Sequence, residues 1–213
     1  MPALLHPGRI IALAHGANPA TWSVPVNEDY TVLAQNFLRL LQQREIPFVI
    51  VGGIALLRHV QGRNTEDIDL ILPASRLADL PEVSIKEKDP MFGRGNFHSL
   101  DVDFLFAEHP VFEKIKNDHS ELLDYEVGKL LTATIDGLVL LKLFALPSLY
   151  RQFDLDRVAI YEADILQLLS RSKQADRFFL DILSLYMTQT DIAQLALVLC
   201  EIRQKIERIK RKP

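Results

Sequence analysis

Two aspartates one residue apart, Asp67 and Asp69 in "TEDIDLIL", open a run of apolar residues. In an extended chain residues i and i+2 face the same way, so both carboxylates project to one side while Ile68 and Leu70 turn into a core. Two such groups repel each other, and a divalent cation between them reverses the balance. Magnesium suits that place, because it takes oxygen ligands and often binds one or two carboxylates together with substrate phosphates. A further acid comes from "LDVDFLF". Asp103, followed at once by the apolar "FLF", is the first choice, and Asp101, on the same face, is its substitute. A third carboxylate is what a two-metal site requires.

Ahead of the acids stands "FVIVGGIAL". Gly52 and Gly53 carry no Cβ and allow backbone N–H groups to approach an anion closely. A helix starting at Ile54 would add its positive end to the same spot. Strand, glycine pair and helix together make a phosphate cradle. If the strands on either side pair, cradle and acids share one end of a sheet, with magnesium between the acids and a triphosphate.

Several elements have to position these groups. "DYTVLAQNFLRLLQQREI" places Leu33, Phe37, Leu40 and Leu41 at helical spacing, with Asn27 or Asp29 as its cap and Pro47 beyond its end. "FVIV" reads as a short buried strand, "IALLRHVQ" as a helix closed by Gly62, and "DIDLIL" as a strand closed by Pro73. "SRLADL" suggests a helix, "VSIKEK" a strand, "DPMFGRGNFHS" a glycine-punctuated loop, and "LDVDFLF" and "KLLTATI" strands. From Asp136 the pattern is helical: "DGLVLLKLFAL", "RVAIYEADILQLLSRS", "KQADRFFLDILSLYM" and a last helix from Asp191. The expected fold is α+β, a mixed β-sheet with flanking helices followed by a helical bundle. The expected divisions are an N-terminal extension of unknown role at 1–27, an α/β domain at 28–135 and a helical domain at 136–213.

The bulk properties exclude several classes. The 213 residues are 48% hydrophobic and 24% charged with a net charge of −4, which suits an ordinary globular protein and gives no chain-wide basic field for nucleic acid or membrane. The basic C-terminal stretch "EIRQKIERIKRKP" reads as cations at a helix C-terminus. A single cysteine, Cys200 in "LALVLCEI", permits no internal disulfide and reads as a buried small apolar residue, so the expected location is cytoplasmic. No charged start precedes a sustained apolar core, and "LVLLKLFAL" is too short to span a bilayer, so neither a signal peptide nor a membrane partner is expected. The histidines lack zinc spacing, and there is no dinucleotide or P-loop glycine motif.

"VGGIAL", then "TEDIDLIL", then "DVDFLF" resembles the signature of the polymerase-β-like nucleotidyltransferase superfamily. Within it the sequence is most similar to the minimal bacterial nucleotidyltransferases of the AbiEii toxin type, which also carry a helical C-terminal half. The resemblance covers roughly residues 30–170. It implies Mg2+-dependent transfer of a nucleoside monophosphate from an NTP, with two ions expected and Asp67, Asp69 and Asp103 as metal-binding and catalytic acids. It also implies that Lys142, in "LVLLKLFAL", touches phosphate together with Gly52, Gly53 and Arg63, and it places Arg151 at the family's arginine. On the residues alone, Lys142 reads equally as a lysine whose stem covers apolar surface. The implied acceptors are a tRNA 3′ end or a protein hydroxyl, and the implied partner is an antitoxin. Two departures stand out. Gly53 replaces a serine common among relatives, and a Lys-Asp dipeptide common after the arginine is matched only loosely, by Glu162 or Asp164. A catalytically inactive nucleotide-binding or partner-binding module on the same fold is the alternative reading.

Overall fold

The helix expected from residue 29 begins at Glu28 in a computed structural model of the chain, which describes residues 28–60, 65 and 67–211. The extension 1–27, Gly62, Arg63 and Glu66 lie outside the described residues. The chain divides into two units, Met1–Thr134 and Ile135–Pro213.

In the first unit, α1 (Glu28–Gln43) turns Ala34, Phe37, Leu38 and Leu41 inward at helical spacing, and all four are fully buried. Phe37 stacks on Phe97 of the sheet with ring centroids 5.0 Å apart. The strands are β1 (Val49–Ile50), β2 (Asp67–Leu72), β3 (Val83–Lys88), β4 (Phe92–Phe97), β5 (Leu100–Phe106), β6 (Ser120–Tyr125) and β7 (Gly128–Ala133). They form one sheet in the order β3-β4-β5-β2-β1-β7-β6. β2 pairs parallel with β5 and antiparallel with β1, and β1 pairs parallel with β7. β4 runs antiparallel to both β3 and β5. One face of the sheet centre is apolar, with Ile50, Ile68, Leu70, Val102 and Phe104 all fully buried.

The structure departs from the expected elements in four places. The stretch expected to be a loop, "DPMFGRGNFHS", contains β4. Its glycines serve close packing rather than turning. A Cβ on Gly95 would lie 2.6 Å from the Ser84 carbonyl oxygen, and one on Gly93 would lie 3.0 Å from the Phe106 ring. The second helix, α2, runs Gly52–Leu57, so the glycines lie inside it. It is shorter than expected, and in its last turn the N–H groups of Arg58 and His59 donate three residues back, to the carbonyls of Ala55 and Leu56. "SRLADL" forms a 3-10 helix, Ala74–Asp79. The segment α3 (Pro110–Asp118) and the strand β6 have no counterpart among the expected elements.

The second unit is helical: α4 (Ile135–Arg151), α5 (Leu155–Leu169), α6 (Asp176–Leu183) and α7 (Gln189–Lys210). Asp154 caps α5 by accepting from the Arg157 N–H, and Thr188 caps α7 by accepting from the Asp191 N–H. Arg203 is more than a helix-end cation. Its Nε donates to Asp176 at 2.7 Å, and its two terminal nitrogens donate to the Leu169 and Gln174 carbonyls, tying α7 to the end of α5 and the start of α6. Cys200 is exposed, contrary to expectation, because the buried stripe of α7 runs through Leu195, Val198, Leu199, Ile202 and Ile206 and passes it by. Among the described residues no helix is long and apolar enough to cross a membrane.

The fold is mixed α+β: a seven-stranded mixed sheet with helices, followed by a helical region.

Candidate active site

The parallel pairing of β2 with β5 sets Asp67 opposite Asp101 and Asp69 opposite Asp103. With a period of two along each strand, the four acids share one face of the sheet, and the alternate residues Ile68, Val102 and Phe104 are buried on the other. Asp67, Asp69 and Asp103 come together: one oxygen from each lies within 4.8 Å of the others, and all three residues are half-buried. Asp101 stays outside this group. It is exposed, accepts a hydrogen bond from the Asn96 amide and lies 3.5 Å from Lys86.

The glycine turn presses directly on these acids. Gly52 has φ +54, the left-handed region, and a Cβ there would stand 1.8 Å from Asp69 Oδ2. A Cβ on Gly53 would stand 2.0 Å from the Thr65 hydroxyl oxygen. Both positions therefore require glycine for contact, and Gly52 requires it for its backbone as well. The Gly53 N–H donates to Asp69 Oδ2 at 3.3 Å. The turn is thus continuous with the carboxylates, because β1 pairs with β2 and the Val51 N–H donates to the Asp69 carbonyl.

Two residues that the sequence reading missed complete the cluster. Thr65, nearly buried, donates its hydroxyl to Asp67 Oδ1 at 2.7 Å. Arg94 grips Asp103 with two parallel hydrogen bonds, Nε to Oδ1 at 2.8 Å and Nη2 to Oδ2 at 3.0 Å. Its guanidinium also lies over the Phe92 ring, 5.3 Å from the centroid. The hydrogen bonds to Asp103 are the largest cause raising the Arg94 pKa, and the charges of Glu87 and Asp67 add to them. The signal for Arg94 was the alternation in "FGRGNF", where Phe92, Arg94 and Asn96 share one face; the two glycines masked it.

Lys142 lies in the second unit. Its ammonium meets Asp164 Oδ2 at 2.7 Å and sits 4.2 Å from the Tyr161 ring centroid. The lysine is 12% exposed and the aspartate fully buried, so this pair is withdrawn from water. Between α4 and α5 the Tyr150 hydroxyl bonds to Glu162, and Arg151, at the end of α4, donates to Asp191 of α7 at 2.6 Å. Of the two loose matches for the family's Lys-Asp dipeptide, it is Asp164 that engages Lys142.

The donor set of the first unit fits a hard divalent cation. It consists of carboxylate oxygens, half-buried and held by two adjacent parallel strands. The Arg94 guanidinium already stands against one of them as a cation.

The fold is similar to that of two solved structures. An antigenic nucleotidyltransferase-like protein from Paracoccidioides brasiliensis matches with a TM-score of 0.57 at 14% identity, over 87% of this chain and 94% of that one. ANT(2″)-Ia in complex with adenylyl-2″-tobramycin matches with a TM-score of 0.50 at 13% identity, over 84% of this chain and 99% of that one. The structural match establishes the fold, which is nucleotidyltransferase-like, and at these identities it does not single out an AbiEii-type branch. No protein-family model matches the chain, and no curated protein sequence does.

Proposed function

We propose that this chain is a metal-dependent nucleotidyltransferase. The acceptor oxygen attacks the α-phosphorus of an NTP, the bond from that phosphorus to the bridging oxygen breaks, and pyrophosphate leaves. The observation that carries the reading is the convergence of Asp67, Asp69 and Asp103 beside the Gly52–Gly53 turn.

Asp67 and Asp69 would hold Mg2+, and Asp103 would hold a second ion. When bound, the metal neutralises phosphate charge and makes the acceptor hydroxyl more acidic. Asp103 then orients that hydroxyl and takes its proton. The Thr65 hydroxyl fixes the Asp67 carboxylate, and the Gly53 N–H fixes Asp69, so neither acid has to reorganise during the reaction. The backbone amides of Gly52 and Gly53 border the triphosphate. Arg63 and Lys142 enter as phosphate contacts through the family resemblance alone. Arg63 lies outside the described residues, and Lys142 holds Asp164 within its own unit.

The family resemblance supports a tRNA 3′ end or a protein hydroxyl as acceptor, and an antitoxin as partner. The likeness to ANT(2″)-Ia adds a small-molecule hydroxyl. A non-catalytic binding module is favoured by one observation: both oxygens of Asp103 are engaged by Arg94.

The purified chain, Mg2+ and each α-labelled NTP are incubated with total tRNA, candidate partner proteins or aminoglycosides, and label transfer and pyrophosphate are measured. One nucleotide should be consumed, D103N should reduce the rate by about 10²–10⁴-fold, and D67N and D69N should also lower it. Mg2+-dependent NTP binding without pyrophosphate release would favour the binding module. Folded protein that neither binds nor turns over any NTP defeats the proposal.

A further inference from the structure

We propose that Arg94 is a resident counter-cation of the acid cluster: it holds Asp103 until a second divalent ion arrives, and its charge competes with that ion for the carboxylate. The inference rests on the metal-dependent reading above.

The contact is built into the sheet. Arg94 and Asp103 are cross-strand partners in the antiparallel β4–β5 ladder. Side chains so placed are neighbours for as long as the ladder is intact. The guanidinium fork takes one hydrogen-bonding position on each Asp103 oxygen. Phe92, two residues earlier on the same face of β4, lies beneath the guanidinium and steadies it. Asp103 is more buried than its partner, with 18% of its side chain exposed against 34% for Arg94.

The three acids are therefore not equivalent toward metal. Asp67 is held by a neutral hydroxyl, and Asp69 accepts from a neutral amide. Asp103 is gripped by a guanidinium, and a divalent ion bound to the same carboxylate would stand against that charge. The first ion should bind to Asp67 and Asp69 without displacing Arg94. The ion that needs Asp103 should bind more weakly, because it competes with the fork. A purely structural role for Arg94 predicts the opposite sign, since losing the bridge would loosen Asp103 and weaken metal binding.

Mn2+ binding to the full chain, read from the free-ion EPR signal, separates the two. The wild type should show a tight and a weak ion. R94Q should tighten the weak ion by about tenfold, equivalent to about 1.4 kcal/mol. R94K should fall between them, because an ammonium keeps the charge and loses the fork. In a D103N background the weak ion should be lost, and adding R94Q should change nothing. Weak-ion affinity in R94Q that is unchanged or reduced overturns the inference. If R94Q does not fold by circular dichroism, R94K decides in the same way. Two-ion binding with no response to Arg94 substitution defeats this inference alone. No Mn2+ bound by wild type or variants defeats it together with the nucleotidyltransferase reading.

Discussion

Gly52 shows how a single residue ties the backbone to the site. Its left-handed φ of +54 and the 1.8 Å between a built Cβ and Asp69 Oδ2 are separate demands. Replacing it with alanine should cost about 1–2 kcal/mol for the backbone alone, and should also push Asp69 out of the cluster. The expected result for Gly52→Ala is a lower melting temperature together with loss of Mg2+-dependent NTP binding by calorimetry. A G52A variant that keeps both would show that the turn does not press on the acid. The sequence made this residue legible, because two glycines after an apolar run and before two alternating acids have few other uses. Thr65 and Arg94 were less legible: the two glycines hide the alternation that puts Arg94 on one face with Phe92 and Asn96, and the type of neither residue names its partner.

At the scale of elements, β4 carried the largest misreading. Glycine is depleted in strands, so "FGRGNF" was expected to be a loop. The glycines are there because β3 and Phe106 leave no room for a side chain. That reason exists only once the neighbouring strands are in place. Lys142 and Asp164, on α4 and α5, form the corresponding feature of the helical unit. Removing one member of a buried pair leaves the other charge uncompensated. Asp164→Ala should therefore lower unfolding stability by about 3–5 kcal/mol, measured by urea denaturation. K142M/D164L, which removes both charges, should lose less. A D164A variant within experimental error of wild type would mean that water reaches the lysine freely.

For the whole molecule, binding and stability are linked. A ligand at 100 times its Kd stabilises by about 2.7 kcal/mol, which for a chain of this length raises the melting temperature by roughly 5–11 °C. The matching NTP should give such a shift with Mg2+ and little without it, since the acids repel a bare triphosphate. Equal shifts with and without Mg2+ would place the nucleotide away from the carboxylates.

Read along the chain alone, the residues already carry the α/β-then-helical order, the shared face of Asp67 and Asp69, and a glycine pair between strand and helix, although that pair opens α2 instead of preceding it. These depend on period and near-neighbour spacing, which the covalent chain carries. That Asp103 and not Asp101 joins the cluster, that Arg94 grips it, and that Lys142 is given to Asp164 become visible once the chain is folded. Those outcomes follow from strand register and helix packing. Both are set by pairings between distant segments, and no local pattern records them.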